Sequence, residues 1–83
     1  MIKIKSNIAI SESGFLFNPN TGDSFTLNVI GIEIINELKS GKPTNRIQEI
    51  IFQKYDVDKE TVDKNLMDFI GMLKYHQIIE ENE

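Results

Sequence analysis

Alternating isoleucine and polar residues at the start of the chain predict a β-strand. All four isoleucines between Ile2 and Ile10 fall on even positions, whereas Lys3 and Lys5 fall on odd ones. Because side chains alternate between the two faces of a strand, this period of two places the isoleucines on one face. The stretch 2–11 therefore predicts one strand with a single buried face.

Two further short strands are predicted between Gly14 and Asn28, joined by a turn. The apolar run Phe15–Phe17 is followed by the segment NPNTGD, whose proline, asparagine and glycine favour turn conformations. The alternating segment Ser24–Leu27 comes next and predicts the third strand. The three strands form a predicted antiparallel sheet, and a sheet this small leaves at least one edge without a partner strand.

Three helices are predicted after the sheet, each with a candidate capping residue. Asn28 precedes the isoleucine-rich run VIGIEIINELK, and Gly41 is placed to end it. Thr44 is the predicted N-cap of a second helix, and Asp58 is that of a third. The pair Ile78–Ile79 predicts a brief last strand.

The order of these elements predicts an α+β fold in which a three-stranded antiparallel sheet is followed by three helices, in a winged-helix-like arrangement. We expect a single domain over residues 1–83, with residues 80–83 forming a solvated tail. A chain of 83 residues has room for one compact core but little for a deep substrate pocket in addition.

Charge and hydropathy disfavour nucleic-acid and membrane partners. The chain has nine basic and thirteen acidic residues, giving a net charge of −4. Between Asp56 and His76, where a helix-turn-helix would place its recognition helix, three lysines stand against five acidic residues and no arginine occurs. Phosphate would repel such a helix, so we do not expect DNA binding. No apolar run approaches the ~20 residues that span a bilayer and no signal peptide is present, so we expect a cytoplasmic protein.

Candidate catalytic and metal-binding residues are scarce. The single histidine, His76, lies at the end of the third helix, where an interaction with the helix dipole explains it better than catalysis. No second histidine and no cysteine is present to complete a nucleophile–base pair or a zinc site. Ser40–Thr44 lacks the first glycine of a phosphate loop, and the acidic residues from Asp56 to Asp63 lack the spacing of a calcium loop. We therefore predict a non-catalytic protein without a metal or cofactor.

The apolar arc of the third helix is broader than one buried stripe. At 100° per residue its apolar positions form a central stripe with extensions on both sides. The stripe consists of Val62, Leu66, Phe69 and Leu73. The extensions are Met67 and Ile70, beside Lys74, on one side and Met72 on the other. Two explanations stay open: packing against the other helices, or a partly exposed groove for an incoming peptide.

Taken in order, these residues resemble the PqqD-like family, small proteins named for pyrroloquinoline quinone biosynthesis. The matching positions extend from the end of the sheet to the last strand. They are Leu27-Asn28, Leu38, Gly41, Thr44, Ile47, Ile50-Ile51, Tyr55, Val62, Phe69-Ile70, Leu73 and Ile78-Ile79. Two positions depart from the family pattern, because Gln77 replaces a usual glycine and Asn65 replaces a common aspartate.

The resemblance implies a non-catalytic adaptor that binds the leader of a ribosomally synthesised precursor peptide and presents it to a modifying enzyme, often a radical-SAM protein. In family members the leader adds as a strand beside the third strand and lies against the third helix. This implies a backbone site formed by Asp23, Ser24, Phe25, Thr26 and Leu27. From the helical arc we add a groove wall formed by Met67, Ile70 and Lys74.

Two other interpretations stay open beside the peptide adaptor. The main alternative is a winged-helix DNA-binding or transcriptional module. A third is a dimer that forms when two edge strands pair, although Lys3 and Lys5 would guard the first strand against pairing if it lies at an edge. For the adaptor we expect a monomer or weak dimer with no nucleic-acid or membrane partner.

Overall fold

The α+β order predicted from the sequence is confirmed by a computed structural model, which describes residues 2–81. The elements are β1 (Ile2–Ile4), β2 (Ala9–Ile10), β3 (Phe15–Asn18), β4 (Asp23–Thr26), α1 (Val29–Lys39), α2 (Thr44–Lys54), α3 (Lys59–Tyr75) and β5 (Ile79–Glu81). The predicted antiparallel sheet forms in the order β2-β3-β4, so β4 lies at its edge. Within the described part of the chain, no helix is both long enough and apolar enough to cross a membrane.

The predicted first strand is divided into two. β1 ends at Ile4 and β2 begins at Ala9, with a turn in which the Ile8 amide donates to the Lys5 carbonyl at 3.2 Å. β2 pairs with β3, whereas β1 pairs with β5 in a separate two-stranded sheet. The prediction of one continuous strand over 2–11 was wrong because the alternation of isoleucines stays in phase across the turn.

The first two residues of the predicted solvated tail are part of a strand. Glu80 and Glu81 are exposed, but they belong to β5 and pair antiparallel with β1. Residues 82 and 83 of the predicted tail lie outside the described residues. The brief last strand predicted at Ile78–Ile79 is confirmed from Ile79 onward.

Two of the three predicted N-caps are confirmed. Asn28 Oδ1 accepts a hydrogen bond from an amide in the first turn of α1 at 2.8 Å, and Asp58 Oδ1 accepts one from the Thr61 amide at 2.8 Å. The hydrogen bonds from Thr61, first of all that of its amide, hold the pKa of the Asp58 carboxyl below its usual value. Thr44 is the first residue of α2 and not its cap, because the extended conformation at the N-cap is taken by Pro43.

The buried core lies between the helices and the inner face of the three-stranded sheet, and it continues to the start of β5. Its members are aliphatic side chains from both sheets, from the segment after β4 and from all three helices. They are Leu16, Leu27, Ile34, Ile35, Leu38, Ile47, Ile51, Val62, Leu66, Ile70, Leu73, Ile78 and Ile79. The central stripe predicted for α3 is confirmed as buried at three of its four positions, and the fourth, Phe69, is half-buried.

Both α1 and α3 end in a left-handed residue with the same pair of closing hydrogen bonds. After α1 this residue is Gly41, with φ of +84°. After α3 it is Gln77, with φ of +59°, and the amides of Gln77 and Ile78 donate to the carbonyls of Lys74 and Leu73 at 3.0 and 2.9 Å. Glycine adopts this conformation without a Cβ clash, so the glycine that the family resemblance implies at position 77 would fit this backbone.

We expect the substitution Gln77→Gly to stabilise the fold by about 1 kcal/mol. A side chain in the left-handed conformation costs about 1–2 kcal/mol, and the greater freedom of glycine in the unfolded chain offsets part of the gain. Urea denaturation measures the difference. Gly41→Gln is the matched reverse change after α1 and should destabilise the fold by a similar amount. An unchanged unfolding midpoint for Gln77→Gly would contradict the assigned strain.

Candidate functional site

The outer edge of β4 presents backbone hydrogen-bonding groups that point away from the sheet. In an antiparallel pair, residues that bond to the neighbouring strand alternate with residues whose N–H and C=O point away from it. The Leu27 amide donates to the Gly14 carbonyl at 2.7 Å, so the odd-numbered residues of β4 are those that bond to β3. Consistently, the Phe15 carbonyl, opposite Thr26, bonds toward β2 at 2.9 Å. Ser24 and Thr26 therefore direct their amides and carbonyls outward.

The inner face of β4 contacts the end of α3 through His76. The Phe25 and His76 rings meet edge to face with their centroids 4.5 Å apart. His76 Nδ1 lies 3.3 Å from Asp23 Oδ2, and the Tyr75 ring lies beside His76 at 5.0 Å. His76 is the C-cap of α3, as its predicted position implied, but its contacts with β4 were not predicted.

A buried asparagine fixes the junction between the sheet and α3. Asn18, at the end of β3, is 1% exposed. Its Nδ2 donates to the carbonyls of His76 at 3.0 Å and Gln77 at 3.4 Å, while its Oδ1 accepts from the Asn20 amide at 3.0 Å. The side chain thus satisfies carbonyls at the helix end that lack a partner within the helix. From the sequence, Asn18 was predicted only to belong to the turn. Its hydrogen bonds to the end of α3 were not predicted because the partners are 58 and 59 residues away.

The flank of α3 that faces the start of α1 carries Phe69 and Met72, one turn before His76, which contacts β4. A Cβ added to Gly31 would lie 3.5 Å from the Phe69 ring, so Phe69 covers the first turn of α1. An open cleft of about 460 Å³ lies between the two helices. It is lined by Asn28, Ile30, Gly31, Ile34, Asn65, Asp68, Phe69 and Met72. Because Asn28 follows the end of β4 by two residues, the cleft begins where the free edge of β4 ends. We call it the α1–α3 cleft.

The groove wall expected from the helical arc lies on the other flank of α3 from Phe69 and Met72, and its part in peptide binding stays a prediction. Lys74 Nζ pairs with Glu81 Oε1 on β5 at 2.7 Å, and the hydrogen bond of this pair holds the pKa of the Glu81 carboxyl below its usual value. Met67, two turns earlier on the same side, is 66% exposed. Ile70 is 6% exposed and belongs to the core. A helical projection gives the width of an apolar arc but not the flank that meets the sheet edge.

The other five predicted site residues, Asp23 to Leu27, lie together on β4 and the residue that follows it. Only two of them, Ser24 and Thr26, turn their backbone outward, whereas Leu27 is buried beneath the sheet. The arrangement offers backbone hydrogen bonds along one edge and apolar contacts beside it. Among residues 2–81, no group of histidine, aspartate and glutamate side chains is arranged to hold a metal ion.

Two solved structures share this fold over nearly the whole chain. The structure of TbiB1 in complex with the TbiA(beta) leader peptide has 28% sequence identity and a TM-score of 0.88, and the alignment covers 98% of each chain. That of lasso peptide synthetase B1 complexed with the leader peptide has 16% identity and a TM-score of 0.84, covering 96% of this chain and 98% of the other. At 16% identity the likeness concerns the fold alone.

Sequence comparison gives the family. A search among curated proteins found no match. The family model described as "Coenzyme PQQ synthesis protein D (PqqD)" matches residues 14–79, from the start of the β3–β4 hairpin to the first residue of β5. This range includes the free edge of β4, the buried Asn18 and the α1–α3 cleft. The chain therefore belongs to the PqqD family.

Proposed function

We propose that this protein binds the leader segment of a ribosomally synthesised precursor peptide by strand addition to β4, and that it presents the precursor to a modifying enzyme. The observation that carries the proposal is the outward-facing backbone of Ser24 and Thr26 beside the α1–α3 cleft, which is lined by both apolar and polar side chains. Membership of the PqqD family and the likeness to a leader-peptide complex at 28% identity support it. In this function the modifying enzyme performs all of the chemistry. The family resemblance implies that this enzyme is often a radical-SAM protein.

Strand addition divides affinity and selectivity between two parts of the site. A leader segment paired with β4 would exchange backbone hydrogen bonds with Ser24 and Thr26, and these bonds do not depend on the leader's side chains. Alternate leader side chains would point toward α3, where Phe25, Phe69 and Met72 offer apolar contacts. Aliphatic or aromatic residues at every second leader position fit this arrangement best.

The cost of ordering the leader sets the expected affinity. A disordered peptide loses conformational entropy when it pairs with β4, which limits affinity and favours release after modification. The adaptor then acts by raising the local concentration of the precursor at the enzyme. A dissociation constant in roughly the micromolar range is consistent with this function.

Fluorescence anisotropy tests the proposal directly. The first step is to search the genes around this protein's gene for a short precursor, and the probe is a labelled synthetic peptide with the leader sequence found there. We expect saturable binding of this peptide, and none of a peptide of scrambled sequence. A leader that shows no binding at about 100 μM protein, together with salt-sensitive retardation of bulk duplex DNA, would favour the DNA-binding alternative and overturn the proposal.

A charge placed in the α1–α3 cleft should weaken leader binding. We expect Met72→Glu to reduce affinity by about tenfold, because an apolar leader side chain would then desolvate a carboxylate. Met67→Glu is the matched control, since Met67 lies on the opposite flank of α3 and is 66% exposed. We expect the control to bind the leader within about twofold of wild type. Equal losses in both variants would contradict the assignment of the leader side chains to the α1–α3 cleft.

A further inference from the structure

A second open cleft, of about 440 Å³, lies at the other end of α1. Its floor is apolar and includes Ile8, Ile10 and Leu38, whereas its rim is basic and consists of Lys3, Lys5 and Lys39. The three lysines come from β1, from the turn that follows β1 and from the last residue of α1. We call this surface the lysine-rimmed cleft.

Within residues 2–81, Lys5 and Lys39 form no ion pair, whereas Lys3 lies opposite Glu80 in the β1–β5 pair. The Lys and Arg ion pairs there use other cations, namely Lys42 with Glu37, Arg46 with Glu49, Lys54 with Glu33 and Lys74 with Glu81. A protein with a net charge of −4 thus gathers three of its nine basic residues around one apolar floor. Like charges in one place repel each other, and an acidic partner would relieve that repulsion.

We propose that the lysine-rimmed cleft docks an acidic and aliphatic segment of the modifying enzyme, an inference that rests on the proposed function. The floor would take aliphatic side chains and the rim would pair with carboxylates of the same segment. The lysines belong to three different elements around an open cleft and not to a single loop. This spread fits a peptide segment with several carboxylates better than one compact anion.

The positions of the two clefts allow both partners to bind together. Gly31 lines the α1–α3 cleft and Lys39 lines the lysine-rimmed cleft. Ile34 and Leu38 also line these clefts, and at about 1.5 Å of rise per residue they are roughly 6 Å apart along α1. The two clefts share no lining residue, so the leader and the enzyme segment would occupy neighbouring halves of one helix and the adaptor would tether the precursor to the enzyme.

The test uses the modifying enzyme identified by the same search of neighbouring genes. The enzyme is purified and immobilised, and its binding to the full chain is measured by biolayer interferometry. We expect the double variant Lys3→Glu/Lys39→Glu to bind the enzyme at least about tenfold more weakly than wild type. The control Lys59→Glu/Lys64→Glu changes two exposed lysines of α3 and gives the same net charge, so we expect it to stay within about twofold. Circular dichroism melting verifies that both variants fold.

Leader binding by the same variants separates this inference from the proposed function. We expect both double variants to bind the leader peptide as wild type does. Leader binding combined with equal enzyme binding by the two double variants would overturn the lysine-rimmed docking site alone. Leader binding without any enzyme binding by wild type would overturn the docking site together with the presentation step of the proposed function. Loss of leader binding in wild type would instead overturn the proposed function. Self-association in light scattering that disappears in Lys3→Glu/Lys39→Glu would assign the cleft to a second copy of the chain and overturn the inference.

Discussion

Ser24→Pro should reduce leader affinity by at least about 100-fold while the protein stays folded. The Ser24 amide points away from β3, so proline removes a hydrogen-bond donor from the free edge without breaking the β3–β4 ladder. The proline ring also obstructs an incoming strand, which costs the neighbouring pairing at Thr26 as well. Loss of two or three main-chain hydrogen bonds at about 1 kcal/mol each accounts for the expected factor. Titration calorimetry with the leader peptide measures it.

The matched control for this prediction is Ser24→Ala, which removes the hydroxyl but keeps the backbone amide. Because the side chain of Ser24 is exposed on the outer face of the sheet, we expect its leader affinity to stay within about twofold of wild type. Proline and alanine variants with equal affinity would show that the leader does not pair with the edge of β4. A proline variant that fails to melt cooperatively would show that Ser24 bonds to β3, against the register described above.

Asn18→Asp should destabilise the fold by about 3 kcal/mol or more at pH 7. In the wild-type protein, Asn18 Nδ2 donates hydrogen bonds to the carbonyls of His76 and Gln77. The substitution keeps the shape of the side chain but places a carboxylate oxygen against these two carbonyls. A buried charge that faces two acceptors loses its hydration without gaining a donor. Chemical denaturation at pH 7 measures the loss in the free energy of unfolding. The exposed turn residue Asn20 offers the control Asn20→Asp, for which we expect a change of at most about 0.5 kcal/mol.

The Asn18→Asp defect should also depend on pH in a defined direction. Burial and the two carbonyls would raise the folded-state pKa of the new carboxyl above its unfolded value of about 3.9. The folded state then binds the proton more tightly, so the defect is smallest below pH 4, where the protonated carboxyl donates to one carbonyl. It grows as the pH rises toward the folded-state pKa. A defect of equal size at pH 3.5 and pH 7 would contradict the buried position of Asn18.

Local chemistry made part of this structure predictable from sequence. Asn28 and Asp58 cap their helices as expected because an N-cap needs only a short acceptor side chain and the amides of the next turn. The prediction of Thr44 as the N-cap of α2 was wrong by one residue. Pro43, which has a fixed φ and no amide hydrogen, takes the extended N-cap conformation instead. The edge position of β4 was likewise accessible from the hairpin pattern of residues 14–28.

Long-range contacts account for the features that the sequence did not predict. The division of the first strand depends on β5, whose Ile79 pairs with Ile4 across 75 residues. The anchoring role of Asn18 depends on the carbonyls at the end of α3, and no local pattern marks a buried asparagine of this kind. The flank of α3 that lies beside α1 is set by helix packing, which a helical projection does not show, so the projection assigned Met67 to the groove wall and left Met72 out.

The central claim is that the leader adds as a strand to β4, and amide hydrogen exchange followed by NMR tests it most directly. With saturating leader peptide, the amides of Ser24 and Thr26 should become protected by at least about tenfold, because each acquires a carbonyl partner. The amides of Phe25 and Leu27, which already bond to β3, should change less. Saturable leader binding that leaves the Ser24 and Thr26 amides as exchangeable as in the free protein would contradict the claim.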